Sequence, residues 1–300
     1  MMHFLFKQHD QRTASVIVFL SASVWGVMWV PMRLTESLGV SALWVQFWFT
    51  TMPAIFLATI CLRATVRDRA FWSVYLMSGL CIGMGYTLYA LGLLLTSVSK
   101  TTALFYLTPI WSTVLAWLIL KERAGMRRWG AIAMAVVGCC LLMQINPFNL
   151  RFETLDLLGL LSGMFWGLGT VVLRRYPKAD FRNATFAQYL SGTVIAGAAI
   201  LILGVETPQA MATGSAALMG AIFGGLVFMP SFLLIIRVMQ YMSPGLVGIL
   251  MLSEVLVAVI SAVVFLGETL AVAQWVGISV ILAAGVIVAT AEDVPTGNPA

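Results

Sequence analysis

Residues 245–267, GLVGILMLSEVLVAVISAVVFLG, run for twenty-three residues with one charge, Glu254, near the middle. A helix rises about 1.5 Å per residue, so about 20 apolar residues cross the roughly 30 Å of hydrocarbon in a bilayer. This stretch is long enough to span a membrane, and the whole chain agrees with it: 61% of its 300 residues are hydrophobic and only 10% are charged. A soluble domain carries about a quarter charged residues to cover its surface. The composition therefore excludes a soluble globular protein and gives an integral membrane protein. The net charge of +5 does not call for a nucleic-acid partner, because the basic residues cluster in short connections between apolar runs.

Reading outward from 245–267 gives ten candidate spans, near 14–34, 41–62, 71–95, 101–120, 128–144, 155–174, 184–204, 215–238, 244–266 and 270–290. Helices are the state expected of them. An open strand leaves backbone groups unsatisfied in lipid, and none of the runs alternates like a barrel strand. The first run is too long for the apolar core of a cleavable signal and no small-residue cleavage site follows it, so it is expected to stay in the protein. Counting Lys and Arg in alternate connections gives 14 on one side, the side of both termini, and three on the other, Arg33, Lys100 and Arg151. Both termini are thus expected in the cytoplasm.

The chain repeats itself. Val24-Trp25-Gly26 followed by Arg33 is echoed 141 residues later by Phe165-Trp166-Gly167 followed by Arg174. Residues 97–129 align without gaps 146 positions on: Ser97 with Ser243, Thr108-Pro109 with Glu254-Val255, Glu122 with Glu268, Trp129 with Trp275. The register then slips by one, so Gly130 and Gly138 correspond to Gly277 and Gly285. Two units are expected, residues 1–148 and 149–300, each of five spans. An odd number of spans turns the second copy upside down, and the charges follow. Lys121, Arg123, Arg127 and Arg128 have Gly267, Thr269, Ala273 and Gln274 as counterparts. The expected fold is an all-α membrane protein of ten transmembrane helices in two inverted five-helix repeats, an architecture of secondary transporters that rock about a midplane site.

These landmarks resemble the drug/metabolite transporter superfamily, and within it the EamA-type exporters. The matching residues are Trp25-Gly26 through Arg33, Leu107-Thr108-Pro109 through Leu120-Lys121-Glu122, Gly130 and Gly138, then Leu252-Ser253-Glu254 through Leu266-Gly267-Glu268, Gly277 and Gly285. The resemblance implies ten helices, with helices 1 to 4 and 6 to 9 around a central cavity and 5 and 10 peripheral. It also implies export of small metabolites or drugs, no enzymatic activity, and residence in a bacterial inner membrane. The subgroup most similar in general character exports aromatic amino acids and methyl viologen. Where that family often reads Glu-Pro this chain has Glu254-Val255, which leaves open whether the helix is broken there.

A charge at the centre of a span costs about 2.5–3.5 kcal/mol on insertion scales, so Glu254 is expected to have a use. Facing a cavity, it would bind a proton coupled to transport or attract a cationic group on the substrate. The structural alternative is a carboxylate held by Ser253, Ser261 or a backbone group freed at a kink. Trp25 and Trp166 hold matching mid-span places, which brings them toward a shared site, though rings there also serve as packing between helices. Tyr86 and Tyr89 share one helix face, as do Thr108 and Trp111, and with Tyr106 they could present rings and hydroxyls to a cavity or simply pack. Aromatic walls suit aromatic, apolar or quaternary ammonium substrates, at about 0.5–2 kcal/mol per cation-π contact. Pro109 and Pro230 are the best-placed hinges, or packing kinks.

Absences narrow the class. No span has a basic residue near its centre, which disfavours phosphorylated cargo. No GxxxxGK[ST] loop is present to drive transport with a nucleotide. Cys61, Cys81, Cys139 and Cys140 lie in spans without metal spacing, and His3 and His9 make a poor metal site, so neither a metal nor a cofactor is expected. An intramembrane enzyme would want a nucleophile or paired carboxylates, which one lone Glu does not supply. The expected partners are a small-molecule substrate, the lipid bilayer and protons as coupling ion. A membrane scaffold or sensor is the alternative from another class.

Overall fold

The computed structural model describes residues 9–95, 98–145, 153–266 and 270–290, and all regular structure in them is helical. In chain order, α1 comes in two pieces, Gln11–Trp25 and Trp29–Glu36; α2 is Ala42–Arg67 and α3 is Trp72–Leu95. Helix α4 comprises Val98–Phe105, Thr108–Leu115 and a π-helical end, Ala116–Leu120. Then follow α5, Met126–Leu142; α6, Leu157–Arg175; and α7, Phe181–Leu203. Helix α8 joins Ala210–Met219, a π-helical stretch Gly220–Phe228 and Met229–Met239. Helix α9 is Pro244–Leu250 and Ser253–Leu266, and α10 is Val272–Thr290.

Among the described residues seven of these, α1 to α4 and α6 to α8, are long and apolar enough to cross a membrane. Helix α5 has 17 residues, and the apolar parts of α9 and α10, Pro244–Val257 and Val272–Ile287, are shorter still. Glu268, the expected boundary at 148 and 149, and the tail after residue 290 lie outside the described residues. The helices are apolar nearly all round because lipid and core present the same environment to their two faces. Their ends are set by polar residues: Asp10 caps α1 through the Thr13 hydroxyl (2.6 Å), Asp180 caps α7 through the Arg182 N–H (2.9 Å), and Gly204 closes α7 with a left-handed φ of 62°.

Small residues set which helices touch and in which direction. On α6, Gly159 faces Thr101, Gly163 faces Phe105 and Thr108, and Gly167 faces Ser112, so α4 and α6 run parallel. Helix α1 runs parallel to α9 in the same way, with Ser253 bonded to the Phe19 carbonyl (2.7 Å) and Trp29 to Ser261 (3.0 Å). Gly79 and Gly83 set α3 parallel to α7; Gly220, Gly224 and Gly225 set α8 parallel to α2. Three other pairs cross antiparallel: α2 with α7 at Thr50, Thr51 and Thr193, α4 with α9 at Pro109 and Gly248, and α5 with α10 at Gly138 and Gly277. An added Cβ on any of these glycines would meet backbone or side chain at about 3 Å or closer, which is why the helix axes can approach so far.

Polar ties at the ends of the bundle join connections that are far apart in sequence. At one end the buried Tyr75 hydroxyl donates to Asp68 and accepts the Asp180 N–H (2.9 Å), while Arg174 pairs with Glu122 (3.0 Å). The α2–α3, α4–α5 and α6–α7 connections thus share one end. Trp44 donates to the Glu206 carbonyl (3.0 Å), which brings the start of α2 to the α7–α8 connection.

Candidate functional site

Three helix breaks meet in the middle of the bundle. Helix α1 is interrupted over Gly26–Met28, where the Met28 N–H turns back to the Trp25 carbonyl (2.9 Å). Helix α4 is interrupted at Tyr106 and Leu107, just before Pro109, which lacks an N–H and disfavours helix at the residue before it. Helix α9 is interrupted at Met251 and Leu252, the place equivalent to the break in α4 within one residue, although Val255 stands where α4 has proline. The question left open by the missing proline is answered: the helix breaks without it. Gly245 and Gly248 of α9 pack directly on Pro109 and Thr113 across the α4–α9 crossing.

The break places Glu254 in the first turn of the second piece of α9. Backbone N–H groups unpaired at a helix start carry partial positive charge, which favours a carboxylate there. Both serines named as alternative holders of Glu254 are engaged with α1: Ser253 donates to Phe19, and Ser261 accepts from Trp29. Glu254 instead faces a cavity of about 30 Å³, lined also by Trp25, Met28, Tyr86, Tyr89, Phe105, Trp166, Phe232, Ile235 and Met251. That volume admits about two water molecules. A substrate of metabolite size therefore requires the helices to part.

Six aromatic residues surround the cavity in contact order. Trp25 lies 6.4 Å from Tyr86, edge to face, and 5.3 Å from Phe232; Phe232 lies 5.8 Å from Trp166. Trp166 lies 6.0 Å from Phe105, and Phe105 lies 4.7 Å from Tyr89. The Trp25 N–H is spent on Ser231 (2.9 Å), Tyr89 shares a hydrogen bond with Thr102 (3.2 Å), and Tyr86 leans on the Met28 sulfur (3.6 Å).

Of the eight residues expected at the site, the structure brings Trp25, Tyr86, Tyr89, Trp166 and Glu254 together around the cavity. Tyr106 is buried beside Glu254 but is not among the residues lining this cavity, and its hydroxyl finds no partner of good geometry. Thr108 turns its hydroxyl onto the Phe105 carbonyl and packs against Gly163. Trp111, one turn on, buries an indole N–H without an acceptor, so the pair Thr108 and Trp111 stands apart from the cavity. The break at Tyr106 and Leu107 separates Phe105, on the cavity, from these residues beyond it.

The lining residues missed from sequence are Met28, Phe105, Phe232, Ile235 and Met251. The repeat holds the signal for two of them, Phe232 and Ile235. Trp25 and Trp166 are equivalent at a displacement of 141, and a displacement of 146, carried back over α3 and α8, matches Tyr86 with Phe232, Tyr89 with Ile235 and Phe105 with Met251. Eight of the ten lining residues are therefore four equivalent pairs. Only Met28 and Glu254 lack a lining partner, their counterparts being Gly169 and Thr108.

The sequence pattern of the EamA-like transporter family matches this chain twice, over residues 12–144 and again over 154–290. An uncharacterized transporter of Bacillus subtilis (strain 168), YwfM, is 22% identical over 92% of this chain and 94% of its own length. A riboflavin transporter of Vibrio cholerae serotype O1 is 25% identical over 45% of this chain and 44% of its own length. A protein of known crystal structure superposes on 94% of this chain, and 99% of its own, with a TM-score of 0.73 at 16% identity, a likeness of fold.

Proposed function

The chain belongs to the EamA-like transporter family, and on that premise we propose that it is a secondary transporter working by alternating access about the aromatic cavity. One observation carries the reading: the cavity is lined by equivalent positions of two halves and sits where three helices are interrupted. Interrupted helices at a repeat interface are where transporters of inverted-repeat design hold their cargo. The double family match supports two units, divided between residues 148 and 149. The antiparallel crossings of α2 with α7, α4 with α9 and α5 with α10 support an inverted relation between them, with all ten helices crossing the membrane.

The cargo in this reading is a small amphiphilic metabolite with an aromatic or apolar body: an aromatic or neutral amino acid, or a related cationic compound such as a quaternary ammonium. The flat rings around the cavity suit stacking, and the riboflavin carried by a relative is also a flat aromatic molecule. Trp25, Tyr86, Tyr89, Trp166 and Glu254 contact the cargo, with Tyr106, Thr108 and Trp111 behind them. The direction is export, the membrane is the bacterial inner membrane, and both termini are cytoplasmic, as the imbalance of 14 to three basic residues supports. The role is transport and not catalysis.

Uptake into liposomes holding the purified protein tests this. The panel is radiolabelled aromatic amino acids, other neutral amino acids, quaternary ammonium compounds and riboflavin, each with and without a pH gradient. At least one is expected to enter faster than into protein-free liposomes, with a response to the gradient that Glu254→Gln removes. No uptake of any compound overturns the transport reading. Unaltered pH dependence in Glu254→Gln overturns proton coupling through that residue.

A further inference from the structure

One corner of the molecule, at the end of the bundle where α4 turns into α5, gathers charge that the protein itself does not offset. Lys121 and Arg123, in the connection from α4 to α5, and Arg127, in the first turn of α5, are all exposed. The end of α6 joins them: Arg174 pairs with Glu122 (3.0 Å), and Arg175 donates to the Ile119 carbonyl (3.4 Å). These contacts use up Glu122, the one acidic residue between 116 and 130, and hold the exposed Arg175 beside the end of α4. Among the described residues Lys121, Arg123, Arg127 and Arg175 make no ion pair. Exposed Trp117 and Trp129 flank the corner on α4 and α5, near helix ends, where amphipathic rings settle at the level of lipid headgroups.

We propose that this corner binds the headgroup of an anionic phospholipid. Orienting a chain in the membrane needs only an excess of basic residues in a connection, in whatever conformation. This corner keeps more than that. Lys121 closes α4 in the left-handed conformation, with φ of 60°, a backbone state that strains a residue with a Cβ and that glycine adopts freely. Glycine is what the second repeat has at the matching position, Gly267. The first repeat thus holds a lysine against the preference of its own backbone, and orientation does not demand it, because Arg123, Arg127 and Arg128 follow within seven residues. The surface concerned is the one expected to face the cytoplasm, where leaflets carry anionic lipid and each basic side chain near them adds attraction. A phosphodiester there lies against Lys121, Arg123 and Arg175, with its acyl chains along the exposed Trp117 of α4. Since Lys121 and Arg175 belong to the two different segments that match the family pattern, one headgroup links both halves at this end.

Native mass spectrometry of the full chain in a neutral detergent tests this, with dioleoylphosphatidylglycerol, dioleoylphosphatidylcholine and inorganic phosphate as probes. Phosphatidylglycerol is expected to fill its first site about tenfold or more tighter than phosphatidylcholine, and a large excess of inorganic phosphate is expected to leave it bound. Arg123→Gln combined with Arg127→Gln is expected to weaken phosphatidylglycerol about tenfold and to leave phosphatidylcholine unchanged, which shows the variant folded. Arg12→Gln combined with Arg69→Gln removes as much charge from outside the corner and is expected to change phosphatidylglycerol by less than about twofold. Lys121→Gly is expected to weaken phosphatidylglycerol about fivefold without lowering the unfolding temperature in detergent, since the backbone there suits glycine. No preference for phosphatidylglycerol, equal losses from the two double variants, or unchanged binding in Lys121→Gly overturns the proposal. Displacement of the lipid by inorganic phosphate overturns it too, because the site would then take a free anion.

Discussion

Gly277 shows how much hangs on single atoms. A Cβ there would stand 2.6 Å from the Leu142 nitrogen and 2.7 Å from the Gly138 carbonyl, both backbone atoms of α5 that cannot turn aside. Gly277→Ala is expected to cost about 1–3 kcal/mol and lower the unfolding midpoint in detergent, as overpacked cores do. Gly285, on the same helix with nothing within 4 Å, is expected to accept alanine without loss. Equal midpoints for the two variants would contradict the α5–α10 contact. The Glu122–Arg174 pair is partly exposed, at 14% and 27%, so removing either charge is expected to cost only about 1 kcal/mol, with partial recovery in the charge-exchanged double variant. Glu254 was legible at this scale because one charge in a run of apolar residues has to be explained. Phe105 and Met251 were not, since an apolar residue in an apolar span carries no mark of which face it turns to.

The helices themselves were legible from length and hydropathy, but their interruptions were not. Proline is an incomplete guide here: Pro53 lies inside α2, which runs unbroken over 26 residues, and α9 breaks with no proline after the break, while Pro31 follows the break in α1 within one turn. Tertiary contacts decide instead. Val255 lies in the first turn after the break in α9, and its N–H makes only a short-range turn bond to Leu252 (3.1 Å). Proline is tolerated in a first turn, so Val255→Pro is expected to keep substrate binding within about threefold. Thr170 sits in the middle of unbroken α6, and Thr170→Pro is expected to cost about 3 kcal/mol or more and abolish binding. Circular dichroism melting with ligand titration checks both. If Val255→Pro did as much damage as Thr170→Pro, the break in α9 would be misplaced.

For the whole molecule, the repeat was readable in Trp-Gly and Glu-x6-Trp landmarks, and the alternating basic connections give an expected orientation, to be tested by labelling. The pairing of helices from different halves was not readable, because the glycines that choose partners are scattered among 26 of them. Ser37 and Arg123 are both exposed, in connections of opposite expected sidedness. Ser37→Cys is expected to react with a membrane-impermeant maleimide added to intact cells, and Arg123→Cys only after the membrane is opened. Labelling of both from outside would reverse or break the inverted arrangement.

Fourfold pairing around the cavity, with one acid left over, has a last consequence. A pocket made of two identical walls cannot tell the head of its guest from the tail, and would accept it either way round. In the proposed transport cycle an acid at 254 set against a threonine at 108 marks one half from the other, and a guest there would be held in one orientation.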